Sequence, residues 1–334
     1  MGLLAYGAIG HEHNEAVQAT PGLTLTAVCD TNPERIAAAR ELAPHIEAFS
    51  DADQMLESDL IDLVVISTPP NSHHAWAMKA LDRDLHVVLE KPMALTVEEC
   101  DAAIAVAKDK SKTLIVYQNR RFDPDFVTMQ RLIRDGAIGE LFHFESFVGG
   151  YSRPCDYWHS DAVVSGGAIV DWGSHYLDQV LNLFTSNIAH VSGLNHKRKW
   201  DHVTNADHAE VIITFDDGRR ASFIHSDLAA ARKPKFFALG TEGAIVAEWD
   251  QAAAPSVADL PAQIYLFTGN DEPQHIPLDT VPKFAFHRQL ATHLTTGAPM
   301  DTSTVGSRNV VAVMQAAEES ARGLGQLVRP SLVS

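Results

Sequence analysis

The sequence predicts an α/β domain with a doubly wound parallel sheet, followed by an α+β domain. Three observations carry this. Residues 1–118 alternate short apolar runs with helical patterns, as crossover-connected parallel strands do. From residue 189 onward, strand-like runs follow one another with few helices between them. A glycine-rich turn, Ala5-Tyr6-Gly7-Ala8-Ile9-Gly10, joins the first apolar run to the first helical pattern. The expected domains are 1–118 and 119–334.

In the first domain, strands are expected at Leu3–Ala5, Leu23–Cys29, Ile61–Ser67, Leu85–Leu89 and Thr113–Tyr117. Helices are expected at Gly10–Ala19, Pro33–Leu42, Asp53–Ser58, His73–Leu81 and Thr96–Ala107. The first strand is short, so the given start is expected to lack some of its residues. In the second domain, helices at Phe126–Asp135 and Gly167–Phe184 flank a strand at Leu141–Val148. Strand runs follow at 189–195, 208–215, 219–228, 235–248 and 263–268, with Asp216-Asp217-Gly218 as a hairpin turn. Residues 251–261, rich in Ala and Pro, read as a surface loop. Helices at Phe284–Thr295 and Ser307–Leu324 close the chain.

Bulk properties bound the function. With 334 residues, 46% hydrophobic and 21% charged, the chain can bury two cores. Its net charge of −17 and lack of a Lys/Arg run argue against nucleic acid as a partner. No apolar stretch has the length of a membrane span, and the N-terminus lacks the pattern of a signal peptide. Three widely spaced cysteines, Cys29, Cys100 and Cys155, suggest reduced thiols and a cytoplasmic location.

The turn at 5–10 matches a dinucleotide fingerprint, with Ala5 in place of its first glycine. Gly7 would let a pyrophosphate approach the backbone, Gly10 would let helix and strand pack closely, and Ala8 and Ile9 open the helix on which the phosphates would rest. Asp30, about 20 residues past Gly10, ends the second strand, where a carboxylate accepts from ribose hydroxyls and repels a 2′-phosphate. NAD is therefore expected over NADP, with NADP still possible. Thr68, Pro69, Asn71 and His73 follow the Ile61–Ser67 strand and are expected to wall the nicotinamide-side ribose.

Lys91 follows another strand of that sheet, held by Pro92. A buried lysine resists burial unless paired, so it either serves chemistry or pairs with Glu90. On the helix from 167, Asp171, His175, Asp178 and Asn182 share one stripe, either a solvated face or a cleft lining. Gly166-Gly167 fits a close approach of backbone to a ligand. His11-Glu12-His13 lacks the spacing of a helical zinc motif, and no metal is expected.

These residues resemble the Gfo/Idh/MocA oxidoreductases (glucose-fructose oxidoreductase, inositol dehydrogenase and rhizopine-catabolism proteins). The resemblance covers nearly the whole chain. It rests on the glycine-rich turn, Thr68-Pro69 with His73, Glu90-Lys91-Pro92, and Gly166-Gly167 through Asp171-Trp172-Gly173-Ser174-His175 to Asp178-Gln179. Tyr117-Gln118-Asn119-Arg120-Arg121-Phe122-Asp123 is similar to a subgroup containing NADP-linked scyllo-inositol dehydrogenases, from which Asp30 departs. The resemblance implies a Rossmann domain followed by a domain with an open, mostly antiparallel sheet. It implies Lys91, Asp171 and His175 as the catalytic trio, with Glu90 beside Lys91 at the cofactor. It also implies homodimers or homotetramers packed through the open sheet face.

A hydride transfer between a polyol carbinol and the nicotinamide would use His175 as base and Lys91 as ammonium. Asn119, Arg120, Tyr151, Trp158, His159 and His208 come from segments expected near the cleft and suit a sugar or cyclitol substrate. Two other readings stay open: a glycoside-cleaving enzyme using bound NAD transiently, and a non-enzymatic cofactor-sensing regulator.

Overall fold

The computed structural model describes residues 1–249, 261–269 and 271–333. The loop expected at 251–261 lies outside them except for Pro261. Contacts divide the chain into two compact units, Met1–Gln118 with Pro282–Arg308, and Asn119–Val281 with Asn309–Ser334.

The first unit carries strands β1 (Gly2–Leu4), β2 (Ala27–Cys29), β3 (Glu47–Phe49), β4 (Leu63–Ile66), β5 (His86–Leu89) and β6 (Leu114–Val116). All pair in parallel, in the order β3-β2-β1-β4-β5-β6. This is the doubly wound dinucleotide-binding order, whose strand reversal beside β1 opens a crevice at the carboxyl ends. Val64 to Ile66 and Val87 to Leu89 are fully buried, as strands covered on both faces must be.

Helices α1 (Ala8–Gln18), α2 (Pro33–Leu42), α3 (Ala52–Leu56), α4 (His73–Asp82) and α5 (Val97–Asp109) make the crossovers. Local chemistry starts them. Asn32 caps α2 by accepting from the Glu34 N–H, and Pro33 supplies a first residue that needs no donor. Thr96 caps α5 through the Glu99 N–H at 3.2 Å. The sequence reading misses β3, a three-residue edge strand too short to show a period, and extends β2 over Leu23–Thr26, where no strand forms.

In the second unit, α6 (Pro124–Arg134) precedes β7 (Leu141–Gly149); α7 (Ala162–Ser165) and α8 (Ala168–Leu183) follow. Seven more strands come next: β8 (Ile188–His196), β9 (His208–Phe215), β10 (Arg220–Ser226), β11 (Phe236–Gly240), β12 (Gly243–Glu248), β13 (Gln263–Thr268) and β14 (Gln274–Ile276). The eight strands form one sheet in the order β14-β13-β12-β11-β7-β10-β9-β8. It is antiparallel except where β10 meets β7. The single run expected at 235–248 is two strands of a hairpin, because the chain turns back at Thr241-Glu242. β14 is also missed, being three residues at the opposite edge.

α8 covers one face of this sheet. Tyr176 stacks on Phe223 at 5.5 Å between ring centroids, and Phe184 on Phe215 at 4.6 Å. Along β9 buried and part-exposed residues alternate, so the other face is more open.

Two helices close the chain, α9 (Ala285–Thr296) and α10 (Thr304–Arg322). The segment 282–308, read from sequence as part of the second domain, belongs by its contacts to the first unit. There Phe286 packs edge-on against Tyr117 at 4.8 Å, and the His287 ring lies 5.1 Å from that of His13. Beyond residue 308, α10 packs on β8, where Gly193 is required: an added Cβ would sit 2.2 Å from the Ala317 carbonyl oxygen.

Candidate active site

The residues expected to hold a cofactor lie in the first unit. β1 ends at Leu4, and Ala5 turns the chain with φ of 72°, a left-handed conformation that favours glycine. The departure from the fingerprint therefore keeps the turn and accepts its strain. Gly10 is required for packing, since a Cβ there would lie 2.9 Å from the Ala5 carbonyl oxygen. Gly7 has a different reason: a Cβ there would meet no protein atom within 4 Å. Nothing among the described residues demands glycine at Gly7, whereas a group approaching the backbone from outside would.

α1 begins at Ala8 with no side-chain cap and no acidic residue in its first turn. The leading N–H groups of a helix have no partner within it, so those of Ala8, Ile9 and Gly10 form an anion seat. These residues fit the pyrophosphate of a dinucleotide.

Asp30 is 7% exposed and already at work. Its Oδ2 accepts from the Tyr6 N–H at 2.7 Å, and its Oδ1 from the Asn32 N–H at 2.8 Å. Arg35 Nη1 lies 3.4 Å from Oδ2, on a half-exposed side chain. One carboxylate thus ties the glycine turn to the start of α2 while keeping lone pairs for ribose hydroxyls.

After β4, Thr68 Oγ1 accepts from the Ser72 hydroxyl at 2.7 Å, Pro69 is part-exposed, and Asn71 is exposed. His73 departs from its expected role. It is fully buried, with Nδ1 2.8 Å from the Pro92 carbonyl oxygen and Nε2 2.8 Å from that of Thr68. It braces two loops instead of walling a ribose. Burial lowers its pKa against the pull of those carbonyls, so the neutral ring donates to one at a time.

Lys91 leads out of β5 and is part-exposed. Glu90 is not simply the partner of the Lys91 ammonium. Its Oε1 meets His13 Nε2 at 2.9 Å, and its Oε2 accepts from the Lys91 backbone N–H at 3.2 Å. The His11-Glu12-His13 triplet points three ways. His11 meets Tyr6, Glu12 accepts from the Tyr117 hydroxyl, and His13 is buried against Glu90.

The second unit carries Asp171 and His175, on α8. Gly166 and Gly167 have φ of 87° and 99°, so both glycines are required by the backbone itself as α7 ends and α8 begins. Asp171 and His175 follow one turn apart. Asp171 Oδ2 lies 3.5 Å from His159 Nδ1, and the His159 ring stacks flat on Trp158 at 3.6 Å. His175 is 6% exposed, its ring 6.1 Å from that of Trp172.

The 119–122 turn is fastened to the same helix. Gln179 donates to the Arg120 carbonyl oxygen at 2.9 Å, Arg121 pairs with Asp178, and the Arg120 guanidinium lies 5.5 Å from the Trp172 ring centre. Asn119, at the head of that turn, has a buried Oδ1 without a hydrogen-bond partner among the described residues. A substrate or carboxamide donor would satisfy it.

The structure thus brings His159, Arg120 and Asn119 to α8. His208, on β9, pairs with Glu210 at 2.9 Å. Tyr151 lies apart from α8, half-exposed, with Lys199 and the Trp200 ring as its neighbours.

Two residues went unread. His225 and Asp227, at the end of β10, lie 3.8 Å apart. Burial lowers His225 to about 4, with the Asp171 charge opposing. Burial raises Asp227 to about 7, with the charges of Asp207 and Asp171 adding. No local motif marks them; only the register that sets Ser226 against His208 brings them here.

Comparison with known proteins agrees with this architecture. Residues 1–118 match the family described as the oxidoreductase family with an NAD-binding Rossmann fold, and residues 126–246 match the GFO/IDH/MocA C-terminal domain. The scyllo-inositol 2-dehydrogenase (NAD(+)) of Bacillus subtilis is 30% identical over 255 residues, 73% of this chain and 72% of that protein. The NADP(+) enzyme IolW of the same organism is 23% identical over 96% of this chain and 93% of its own length. An oxidoreductase of Schizosaccharomyces pombe, C115.03, is 34% identical over 179 residues, 53% of this chain and 49% of that protein. Among solved structures, an NAD-binding protein from Listeria innocua superposes with a TM-score of 0.85 at 28% identity, covering 98% of this chain and 96% of that one.

The fold and site define an oxidoreductase with an NAD-binding Rossmann unit. The chain belongs to the GFO/IDH/MocA family.

Proposed function

We propose that this chain is an NAD(P)-dependent dehydrogenase acting on a secondary hydroxyl of a sugar or cyclitol. The observation that carries this reading is the buried His175 imidazole one turn from the Asp171 carboxylate on α8. Relatives named as scyllo-inositol dehydrogenases support the substrate class.

Bound dinucleotide, held by Gly7, Ala8, Ile9, Gly10 and Asp30, supplies the hydride acceptor. His175 takes the hydroxyl proton, which an imidazole can hold near neutral pH. Lys91, as ammonium, donates to the same oxygen and stabilises the negative charge that develops on it. Asp171 orients the imidazole or grips a neighbouring hydroxyl together with His159. Asn119 and Arg120 offer further polar contacts to a polyol, and Trp158 an aromatic face. Asp30 favours NAD. The protein works in the cytoplasm as a homodimer or homotetramer joined through its open sheet face; no helix among the described residues is long and apolar enough to cross a membrane.

The test is absorbance at the NADH wavelength with NAD, then NADP, across inositols, aldoses and anhydrosugars. Reduction with one polyol supports the reading. Silence across the panel with NAD still bound overturns it in favour of transient NAD use in glycoside cleavage or of a cofactor-sensing regulator.

A further inference from the structure

The first unit buries three ionisable groups in one line: Glu90 at 8% exposure, His13 at 0% and His287 at 1%. Glu90 Oε1 is 2.9 Å from His13 Nε2, and His13 Nδ1 is 2.9 Å from His287 Nε2. A carboxylate partner fixes the direction of the first bond. A carboxylate only accepts, so His13 donates from Nε2. The second bond joins two imidazole nitrogens, and its direction follows the tautomers of the two rings. His287 Nδ1 ends the line, buried and without a hydrogen-bond partner among the described residues. A further proton would make that end a buried donor with nothing to receive it.

The rings of Tyr117, Phe284 and Phe286 close around His287 at 5.3, 6.2 and 5.6 Å, and the Tyr117 hydroxyl donates to Glu12 at 2.7 Å. Apolar side chains of similar volume would fill this space at less cost, so the polar line fixes geometry more than it adds stability. What it fixes is the Lys91 turn. Glu90 Oε2 accepts the Lys91 N–H, and His73 takes the Pro92 carbonyl from the other side.

We propose that His13 and His287 are positioning residues for Lys91: the buried line His287–His13–Glu90 holds the carboxylate from which the Lys91 turn hangs. The line also ties the 282–308 segment to α1 of the first unit. The role in turnover rests on the dehydrogenase reading; the positioning does not.

The test reads Lys91 directly, by the rate of ε-amine methylation in the full chain, measured by mass spectrometry against Lys108 and Lys110. His13→Leu is expected to change the Lys91 rate by about threefold or more, and His13→Gln, whose amide can donate to Glu90 in place of Nε2, to restore it. With an active polyol in hand, His13→Leu also lowers kcat about tenfold while NAD affinity stays within about twofold. If His13→Leu does not fold, His287→Leu is read in its place, with a rate change in the same direction. An unchanged Lys91 rate in the folded variant overturns the proposal. A wild-type chain that oxidises no polyol overturns the dehydrogenase reading alone.

Discussion

Arg121 grips Asp178 with two hydrogen bonds, Nε to Oδ2 at 2.7 Å and Nη2 to Oδ1 at 2.6 Å, in a pair whose side chains are 10% and 2% exposed. Asp178 shares a helical stripe with Asp171 and His175, yet it faces protein. Burial pushes its carboxyl up and the Arg121 guanidinium pulls it down. The pair fastens the 119–122 turn to the helix that carries His175.

Removing one partner leaves the other charge buried. Asp178→Ala should cost about 3–5 kcal/mol, read as a lower urea midpoint for the second unit. A loss under about 1 kcal/mol would show that the pair is solvated in solution.

His175→Ala should lower kcat by about a hundredfold or more while leaving NAD affinity intact. Dinucleotide binding can be read by fluorescence without turnover. Near wild-type activity would remove His175 from the role of base.

Asp30 combines a structural and a recognition role. Asp30→Asn should weaken NAD binding and relax discrimination against NADP, helped by Arg35 3.4 Å away. Asp30→Ala should in addition cost about 1–3 kcal/mol, because the buried Tyr6 N–H loses its acceptor. An unchanged ratio of NAD to NADP affinity in Asp30→Asn would mean another residue reads the ribose.

Ala5 holds φ of 72°, where an L side chain is strained. Ala5→Gly relieves that strain and loosens the unfolded chain, for a net gain of about 0.5–1 kcal/mol. A rise in Tm of the first unit checks it, and a fall would mean that the Ala5 methyl contributes more by packing than the strain costs.

Asp227 titrates at about 7 when folded, against 3.8 as its ordinary value. The folded form keeps a proton that the unfolded chain has already released, so stability is lost as pH rises from about 4 through 7. Asp227→Asn removes this dependence. It should be more stable than wild type at pH 8 by on the order of 2 kcal/mol and show little advantage near pH 4. A gap that does not change with pH would refute the assignment.

The order of alternating strands and helices, the glycine turn, Asp30 and the stripe on α8 were all legible in the chain. Each depends on near neighbours: apolar period, capping residues, or the conformational needs of a turn. The 235–248 hairpin was not, since its reversal at Thr241-Glu242 interrupts no polar pattern long enough to see.

By itself the sequence determined two fold classes and a dinucleotide turn, because helix and strand period and turn chemistry are local properties. Only the tertiary structure decided what the polar residues do. Strand register placed His225 and Asp227 beside Asp171's charge, burial turned Asp178 and His73 into braces, and the return of residues 282–308 set His287 against His13. The physical reason is common to all of them. A polar side chain's role depends on which partner meets it away from water, and that partner lies far along the chain.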